Sequence, residues 1–121
     1  MCAYRVLIVE DAPIVRHGLE LHLRQWGVEH IDTATTGQEA LAKPERPDLL
    51  IVSTALPGHP DGLETARLLQ QQNPPVPVLL LHESTNQSVP AYRPPLTRCH
   101  CLPSPPTVEE LHASLAEVLR G

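Results

Sequence analysis

The sequence predicts an α/β domain built on a parallel, doubly wound sheet. Three stretches are largely apolar and do not alternate with polar residues: RVLIV at residues 5–9, LLIV at 49–52 and VPVLLL at 76–81. Such runs are typical of parallel strands that are covered by helices on both faces. Segments with helical spacing separate them, so strands and helices alternate along the chain. We therefore expect five parallel strands joined by right-handed crossovers.

Length and composition favour one ordinary domain spanning residues 1–121. No apolar stretch approaches the length of a membrane helix, and the N-terminus lacks the layout of a signal peptide, which favours a cytoplasmic protein with no membrane partner. The net charge of -5 argues against direct binding of nucleic acid, because neutralising phosphates requires a basic surface.

The first predicted strand, Arg5 to Val9, ends at Glu10 and Asp11. Pro13 suits the first turn of a helix, for which Asp11 is the candidate N-cap. Gly27 is the expected stop of this helix, because glycine readily adopts the left-handed conformation that ends many helices. Apolar residues at helical spacing predict its inward face, and a histidine beside them is expected to pack against it: Val15, Leu19, Leu23 and Trp26, with His22.

A short strand at residues 28–33 and a short helix from Thr36 to Leu41 are expected next. Thr36 and Glu39 have the spacing of a capping box, in which each side chain bonds the backbone of the other. Prolines at positions 44 and 47 close this helix.

The central strand, 49–52, ends at Ser53, and Asp61 with Glu64 forms a second capping-box pattern that opens a helix. The inward residues of that helix are predicted to be Leu63, Ala66 and Leu69. Ligands of open α/β sheets bind at the carboxyl ends of the strands, so Ser53 is expected to face the functional site.

The fourth strand, 76–81, is expected to end at His82, and the segment 83–96 contains three prolines and no apolar stripe. The helix between strands four and five is therefore predicted to be short or irregular. A fifth strand is expected from Arg98 to Leu102, ended by the Pro103–Pro106 segment. Thr107 and Glu110 cap a last helix, whose inward face is predicted to be Leu111, Leu115, Val118 and Leu119.

The chain resembles the receiver domain of two-component response regulators in RVLIVED, PDLLIVS with its LPG loop, DGLETARLL, VPVLLL and SPPTVEEL. VEDAPIVRHGLELHL and PDGLETARLL resemble regulators that carry a C-terminal helix-turn-helix. The resemblance implies a flavodoxin-like fold with strand order 2-1-3-4-5. It also implies phosphoryl transfer to an aspartate at the end of strand three, with an acidic pair holding Mg²⁺, a Thr or Ser ending strand four and a Lys ending strand five.

Only the acidic pair of that set is present, at Glu10 and Asp11. Ser53 occupies the acceptor position, His82 the Thr or Ser position, and Ser104 the Lys position. Cys101 falls on the position of an aromatic switch residue. Three positions of the catalytic set are changed, so the cleft formed by the acidic pair, Ser53, His82 and Ser104 resembles that of a degenerate pseudo-receiver without catalytic residues. The Ser104–Pro105 bond is expected to be cis, as the corresponding Lys-Pro bond of the family usually is.

Serine is a poor replacement for the acceptor, because it is neutral and needs a base to become nucleophilic. His82 is one candidate base, although no third group is identifiable to orient it. Asp48 starts the central strand and is expected at the opposite edge of the sheet, as a solvated residue. Glu10 and Asp11 remain candidates for weak Mg²⁺ binding, with no other cofactor expected.

Cys99, His100 and Cys101 also suggest a metal or redox site. On a strand, however, the two cysteines point to one face and the histidine to the other, so the three cannot converge on one ion. We expect the cysteines to be small buried hydrophobic residues.

Three functional hypotheses follow. The leading one is a non-enzymatic, phosphorylation-independent domain of an atypical response regulator. It would act by dimerisation or by binding a protein partner through the proline-rich segment, strand five and the 107–119 helix. A DNA-binding domain outside this chain would make it the regulatory half of a transcription regulator. The second is a sensor of a small molecule or ion in the altered acidic cleft. The third is a phosphorelay receiver that uses an unusual acceptor.

Overall fold

The structure, a computed structural model, describes residues 5–43, 47–54, 56, 60–71, 76–83, 99–104 and 106–120. Five strands and four helices lie within these ranges: β1 (Arg5–Val9), α1 (Pro13–Gln25), β2 (His30–Ala34), α2 (Gly37–Leu41), β3 (Leu49–Ser53), α3 (Gly62–Gln70), β4 (Val78–Glu83), β5 (Cys99–Ser104) and α4 (Val108–Arg120). The segment between β4 and β5, for which a short or irregular helix was predicted, lies outside the described residues.

The strands form one sheet in the order β2-β1-β3-β4-β5, and every neighbouring pair is parallel. This arrangement confirms the predicted flavodoxin-like α/β fold. All five residues of β3 are buried, as expected for a central strand covered on both faces. The apolar run that first identified this strand is therefore explained by its position in the sheet.

Side chains alternate between two cores, one on each face of the sheet. On one face, β1 and β3 contribute Val6, Ile8, Leu49 and Ile51, which pack with residues of α1 and α4. The opposite core joins alternate strand residues to α2 and α3, and contains Leu7, Val9, Ala34, Ala40, Leu50, Val52, Leu56, Ala66, Leu69, Val76, Val78 and Leu80. The protein is thus doubly wound, with α1 and α4 on one layer and α2 and α3 on the other.

Three strands begin or end at residues other than the predicted ones. β2 starts at His30 rather than residue 28, because the Val28 amide donates to the Leu23 carbonyl in the turn that ends α1. β4 is shifted two residues towards the C-terminus and runs through Glu83. β5 continues through Pro103 to Ser104, which an edge strand allows because one side of its backbone needs no amide donor.

Three helices begin with the predicted capping contacts. Thr36 and Asp61 accept hydrogen bonds from the amides of Glu39 and Glu64 at 3.0 and 2.9 Å. Thr107 forms the complete capping box before α4: its hydroxyl accepts from the Glu110 amide, and its own amide donates to the Glu110 carboxylate, at 3.1 and 2.9 Å. These contacts satisfy amides that have no partner inside the helix.

The predicted cap of α1 was wrong. The N-cap is Ala12, whose side chain cannot accept a hydrogen bond, and Asp11 remains exposed. The Glu10 carboxylate accepts the Ala12 amide instead, at 3.0 Å. At the other end, Gly27 adopts φ +92°, confirming the predicted stop.

Trp26 also departs from its predicted inward position. Leu19 and Leu23 are buried, but Trp26 is the C-cap of α1 and remains 36% exposed. Its ring lies between His22 and His112, with centroid distances of 6.2 and 5.0 Å. The indole therefore links the end of α1 to α4 and does not continue the buried stripe.

Candidate functional site

The backbone places the cleft residues predicted from the sequence at the C-terminal ends of the strands. Val9 pairs with Val52, so Glu10 and Ser53 follow adjacent positions of neighbouring strands. Ser53 in turn pairs with Leu81, which places His82 one residue further along β4. Ser104 pairs with Glu83 at the end of β5. Strand register therefore places these positions side by side at the C-terminal ends of four neighbouring strands.

Glu10 is almost fully buried, with 4% of its surface exposed. Its Oε2 accepts the Ala12 amide, while Oε1 is buried without a hydrogen-bond partner among the described residues. Burial raises the pKa of this carboxyl above its ordinary value near 4.5, the Ala12 hydrogen bond opposes that rise, and the neighbouring Asp11 adds to it. Part of the acidic pair therefore lies inside the protein, in a position that disfavours its charge.

Arg16 contributes a positive group that the sequence analysis missed. Its Nη1 donates to the Glu10 carbonyl at 3.1 Å, and the side chain is half-buried. Helical geometry provides a signal for it in the sequence, because residue 16 follows the first turn of α1 and can reach back to the end of β1. This hydrogen bond ties the first turns of α1 to the end of β1.

Ser53 ends β3 and is 3% exposed. The first residue of α3, Gly62, approaches its backbone so closely that a Cβ on Gly62 would lie 2.7 Å from the Ser53 carbonyl carbon and 2.8 Å from the Thr54 Cα. Gly62 was not recognised as important from the sequence. The start of α3 therefore packs directly against the backbone at the acceptor position, and only glycine fits there without a clash.

The structure fixes His82 and Ser104 only through the backbone of their strands, with register partners Pro103 and Glu83. The peptide bond predicted to be cis, Ser104–Pro105, involves a proline outside the described residues.

The described residues do not fit a complete magnesium site. Mg²⁺ requires several hard oxygen ligands in octahedral geometry. Glu10 uses one oxygen for a backbone amide, Asp11 is exposed, and the acceptor position offers a hydroxyl. Within the described part of the chain, no group of three or more His, Cys, Asp or Glu side chains is placed to hold a metal.

The predicted burial of the cysteines was wrong for Cys101, which is a free, exposed thiol. Leu102 faces the core beneath α4, so the preceding residue points to the opposite face of an edge strand. His100 and Cys101 pair in register with Leu79 and Leu80, so these two neighbouring residues face opposite sides of the sheet. The position assigned to a switch residue therefore lies at the surface of the sheet.

Asp48 directly precedes β3, at the N-terminal ends of the strands and opposite the cleft, as predicted. Its Oδ2 accepts the Arg5 amide at 2.9 Å, and its own amide donates to the Arg5 carbonyl at 2.7 Å. The residue is exposed and fixes the start of β1 against β3. Its role in the structure is therefore backbone pairing far from Glu10.

Among the described residues, no helix combines the length and the apolar character that crossing a bilayer requires.

Sequence and structure comparisons agree on one kind of protein. Residues 6–93 match the family model of the response regulator receiver domain. The chain is 34% identical over 85 residues to a protein-glutamate methylesterase/protein-glutamine glutaminase of Archaeoglobus fulgidus, covering 69% of this chain and 24% of that protein. It is 36% identical over 90 residues to the alkaline phosphatase synthesis transcriptional regulatory protein SphR of Synechococcus elongatus, covering 65% and 34%.

A solved structure of similar architecture is the chemotaxis protein CheY4 of Vibrio cholerae, with a TM-score of 0.81, 27% identity, and coverage of 97% of this chain and 99% of that one. The two curated relatives are much longer, and the matched part is about a quarter to a third of their length. Their similarity to this chain therefore concerns one domain of each.

Proposed function

Because the chain belongs to the family of response regulator receiver domains, we propose that it is a signalling domain that works without phosphorylation. It regulates through contacts with a protein partner or a second copy of itself. The domain has no catalytic role of its own. In this proposal the domain uses the surfaces of the receiver fold for binding and carries out no phosphoryl transfer.

The observation that carries the proposal is the neutral, buried hydroxyl of Ser53 at the end of β3. An aspartate there would be ionised at neutral pH and ready to attack a phosphoryl group, whereas a serine needs a base. Glu10 is turned onto the Ala12 amide, and Arg16 binds the Glu10 carbonyl. The Glu10 carboxylate and the Arg16 guanidinium therefore both make hydrogen bonds that hold the start of α1 against the end of β1.

The partner surface proposed here comprises β5 and α4. β5 is the last strand of the sheet, and the two elements share a core through Leu102 and Leu111. Val108 at the start of α4 is 41% exposed, and Cys101 is exposed on the face of β5 that α4 does not cover. Exposed apolar groups beside an edge strand are suited to protein contacts. The proline-rich segment that was predicted to share this surface lies outside the described residues.

The phosphorylation test is intact mass after incubation with Mg²⁺ and acetyl phosphate, beside a receiver that has its aspartate. We expect no adduct on the wild-type chain or on Ser53→Ala, while the aspartate-containing receiver is modified. A hydroxylamine-sensitive adduct on the wild type would identify an acyl phosphate and support a phosphorelay receiver with an unusual acceptor. Ser53→Asp is expected to react about a hundredfold more slowly than the control receiver, because His82 and Ser104 replace groups that stabilise transferring charge.

The association test is sedimentation equilibrium of the wild type, Val108→Lys and Ile14→Lys. Ile14 is a matched control, since it is 87% exposed on α1, away from the proposed surface. We expect the Val108 variant to weaken self-association or partner binding about tenfold, and the Ile14 variant to leave it unchanged. A wild-type chain that stays monomeric at high concentration and binds no partner would contradict the proposal.

A second candidate function is sensing of an ion or small ligand in the cleft. It is favoured by Glu10 Oε1, which is buried without a described partner, since such an oxygen gains a hydrogen bond or a cation when a ligand enters. Weak Mg²⁺ binding at Glu10 and Asp11 belongs to this candidate. Thermal shifts with metals, anions and metabolites test it, with Glu10→Gln as the matched variant. Stabilisation of the wild type but not of the variant would favour sensing.

The domain is further proposed to be the regulatory part of a transcription regulator whose DNA-binding domain lies outside this chain. The length of the curated relatives supports this, because one of them is named as a transcriptional regulatory protein and matches over 34% of its length. The chain's net charge of -5 disfavours DNA binding by this domain, so the proposal places DNA binding in another domain. A helix-turn-helix encoded after Gly121 in the parent gene would support the proposal.

A further inference from the structure

A second concave site lies far from the acidic cleft. A pocket of about 400 Å³ opens between the C-terminal end of α1 and α4, where Val6 and Leu49 place it near the amino ends of β1 and β3. The acidic pair and Ser53 lie at the carboxyl ends of the same strands. The acidic cleft shares no residue with this pocket, whereas α4, which belongs to the proposed partner surface, contributes His112, Leu115 and Ala116 to its wall.

Two aromatic side chains, Trp26 and His112, line the pocket. Trp26, the single tryptophan of the chain, makes a tilted ring contact with His112 of α4, with a centroid distance of 5.0 Å, and a stacked contact with His22 of α1 at 6.2 Å. The indole remains 36% exposed. A large aromatic side chain fixed in this way offers a flat apolar surface at little cost in side-chain entropy.

The pocket walls indicate an uncharged ligand. They are formed by aliphatic side chains, including Leu23 and Val28, with Trp26 and His112 as the polar contributors. Among the described residues, neither an acidic side chain nor a lysine or arginine lines the pocket. Nothing there would compensate the desolvation of a charged molecule. An imidazole nitrogen and an indole N–H are suited to one or two hydrogen bonds.

Volume limits the size of the ligand. Small-molecule sites generally occupy about 300–1,000 Å³, and an apolar cavity of about 150 Å³ is enough for benzene. The volume of about 400 Å³ is therefore suited to one ring or two fused rings. Larger ligands would extend into solvent beyond Trp26.

We propose that this pocket binds an uncharged, planar aromatic molecule of one or two fused rings. The ring lies against Trp26 and the aliphatic walls, and one polar atom hydrogen-bonds to the His112 imidazole. The ligand contacts both α1 and α4, so its binding ties the two helices of one layer together. The pocket and the acidic cleft share no residue, so ligand binding at the pocket is measured separately from the phosphorylation and association tests of the proposed signalling function.

Indole is a suitable probe, observed by ¹H–¹⁵N NMR of labelled protein. We expect saturable shifts of the Trp26 side-chain N–H and of the Leu23, Val28 and His112 amides. Ala116→Leu places a larger side chain on the pocket wall and is expected to weaken indole binding at least about tenfold. Ala113→Leu is the matched control, because Ala113 is exposed on the same helix and does not line the pocket.

The hydrogen bond is tested separately with His112→Phe, which keeps a ring beside Trp26. Loss of the imidazole is expected to weaken indole about fivefold while leaving indene, which has no N–H, unchanged. Absence of saturable shifts, shifts that persist in Ala116→Leu, or equal weakening by Ala113→Leu would overturn the proposal. Folding of each variant is checked by the dispersion of its amide spectrum, so loss of binding and loss of structure are distinguished.

Discussion

Replacing Gly62 by alanine tests the contact between α3 and the acceptor position. Gly62 is buried at the first position of α3, and its added Cβ would lie 2.7 Å from the Ser53 carbonyl carbon, 2.8 Å from the Thr54 Cα and closer still to the Ser53 oxygen. These atoms belong to the backbone of a central strand, so no side-chain rotation can relieve the clash. Either α3 moves away from the sheet or β3 shifts within it.

The magnitude follows from two opposing effects. Overpacking against atoms that cannot move costs about 1–3 kcal/mol and occasionally more. Replacing glycine by alanine where the backbone permits it stabilises by about 0.4–1 kcal/mol, through the unfolded chain. Because both neighbours are main-chain atoms, we expect the clash to dominate and Gly62→Ala to lower the free energy of unfolding by about 2 kcal/mol or more.

Gly18→Ala provides the matched control. Gly18 lies within α1, and a Cβ built on it meets nothing within 4 Å. The same substitution should therefore raise stability by about 0.5–1 kcal/mol, since alanine is the better helix former. The two variants are predicted to change stability in opposite directions.

Urea denaturation measures both effects, with midpoints compared at equal m-values. For a domain of this size, each kcal/mol corresponds to roughly 3–6 °C in the melting temperature. If Gly62→Ala unfolds within about 0.5 kcal/mol of the wild type, the close approach of α3 to Ser53 is wrong. Destabilisation by both variants would show that the contacts around Gly62 are not the cause.

Three other predictions concern helix ends and the acidic pair. Thr107→Ala removes one half of a complete capping box and should cost about 1 kcal/mol in urea denaturation, with Thr107→Ser retaining most of the stability. Gly27→Ala forces a non-glycine residue to φ +92° and should cost about 1–2 kcal/mol, which Gly27→Asn would partly recover. Because the pKa of Glu10 is raised in the folded state, that state binds more protons above pH 4.5, and stability should fall as pH rises through the folded pKa. In metal-free buffer this decline should be absent in Glu10→Gln; an identical pH profile in the variant would contradict the burial of the carboxyl.

Much of the fold was predictable because the central strands are recognisable by composition alone. A buried parallel strand has both faces covered, so β1 and β3 appear as apolar runs whatever the surrounding sequence. Capping patterns at Thr36, Asp61 and Thr107 were equally local, since donor and acceptor lie three residues apart. Such features depend on few distant contacts.

Features that depend on distant contacts were predicted less well. The extension of β5 through Pro103 depends on the strand lying at a sheet edge, and the exposure of Cys101 depends on which face α4 covers. The close approach of Gly62 to Ser53 involves two elements separated by a loop. No local pattern reports which glycine contacts another strand, and for the same reason the Trp26 contact with His112 was missed.

At the candidate site, the partners of the predicted residues could not be found from the sequence. Glu10 was predicted to serve with Asp11 as an acidic pair, and the structure instead uses the Glu10 carboxylate to hold the amide that precedes α1. The exposed Asp11 next to it therefore has no capping role.

The burial of Glu10 also affects which side chain suits position 53. Strand register places position 53 beside the end of β1, in a buried environment that already raises the pKa of Glu10. An ionised carboxylate at position 53 would add a further buried negative charge, which is costly unless a cation lies nearby. The neutral Ser53 avoids that repulsion. In the absence of a cation, a neutral residue therefore fits this buried end of the sheet better than a carboxylate would.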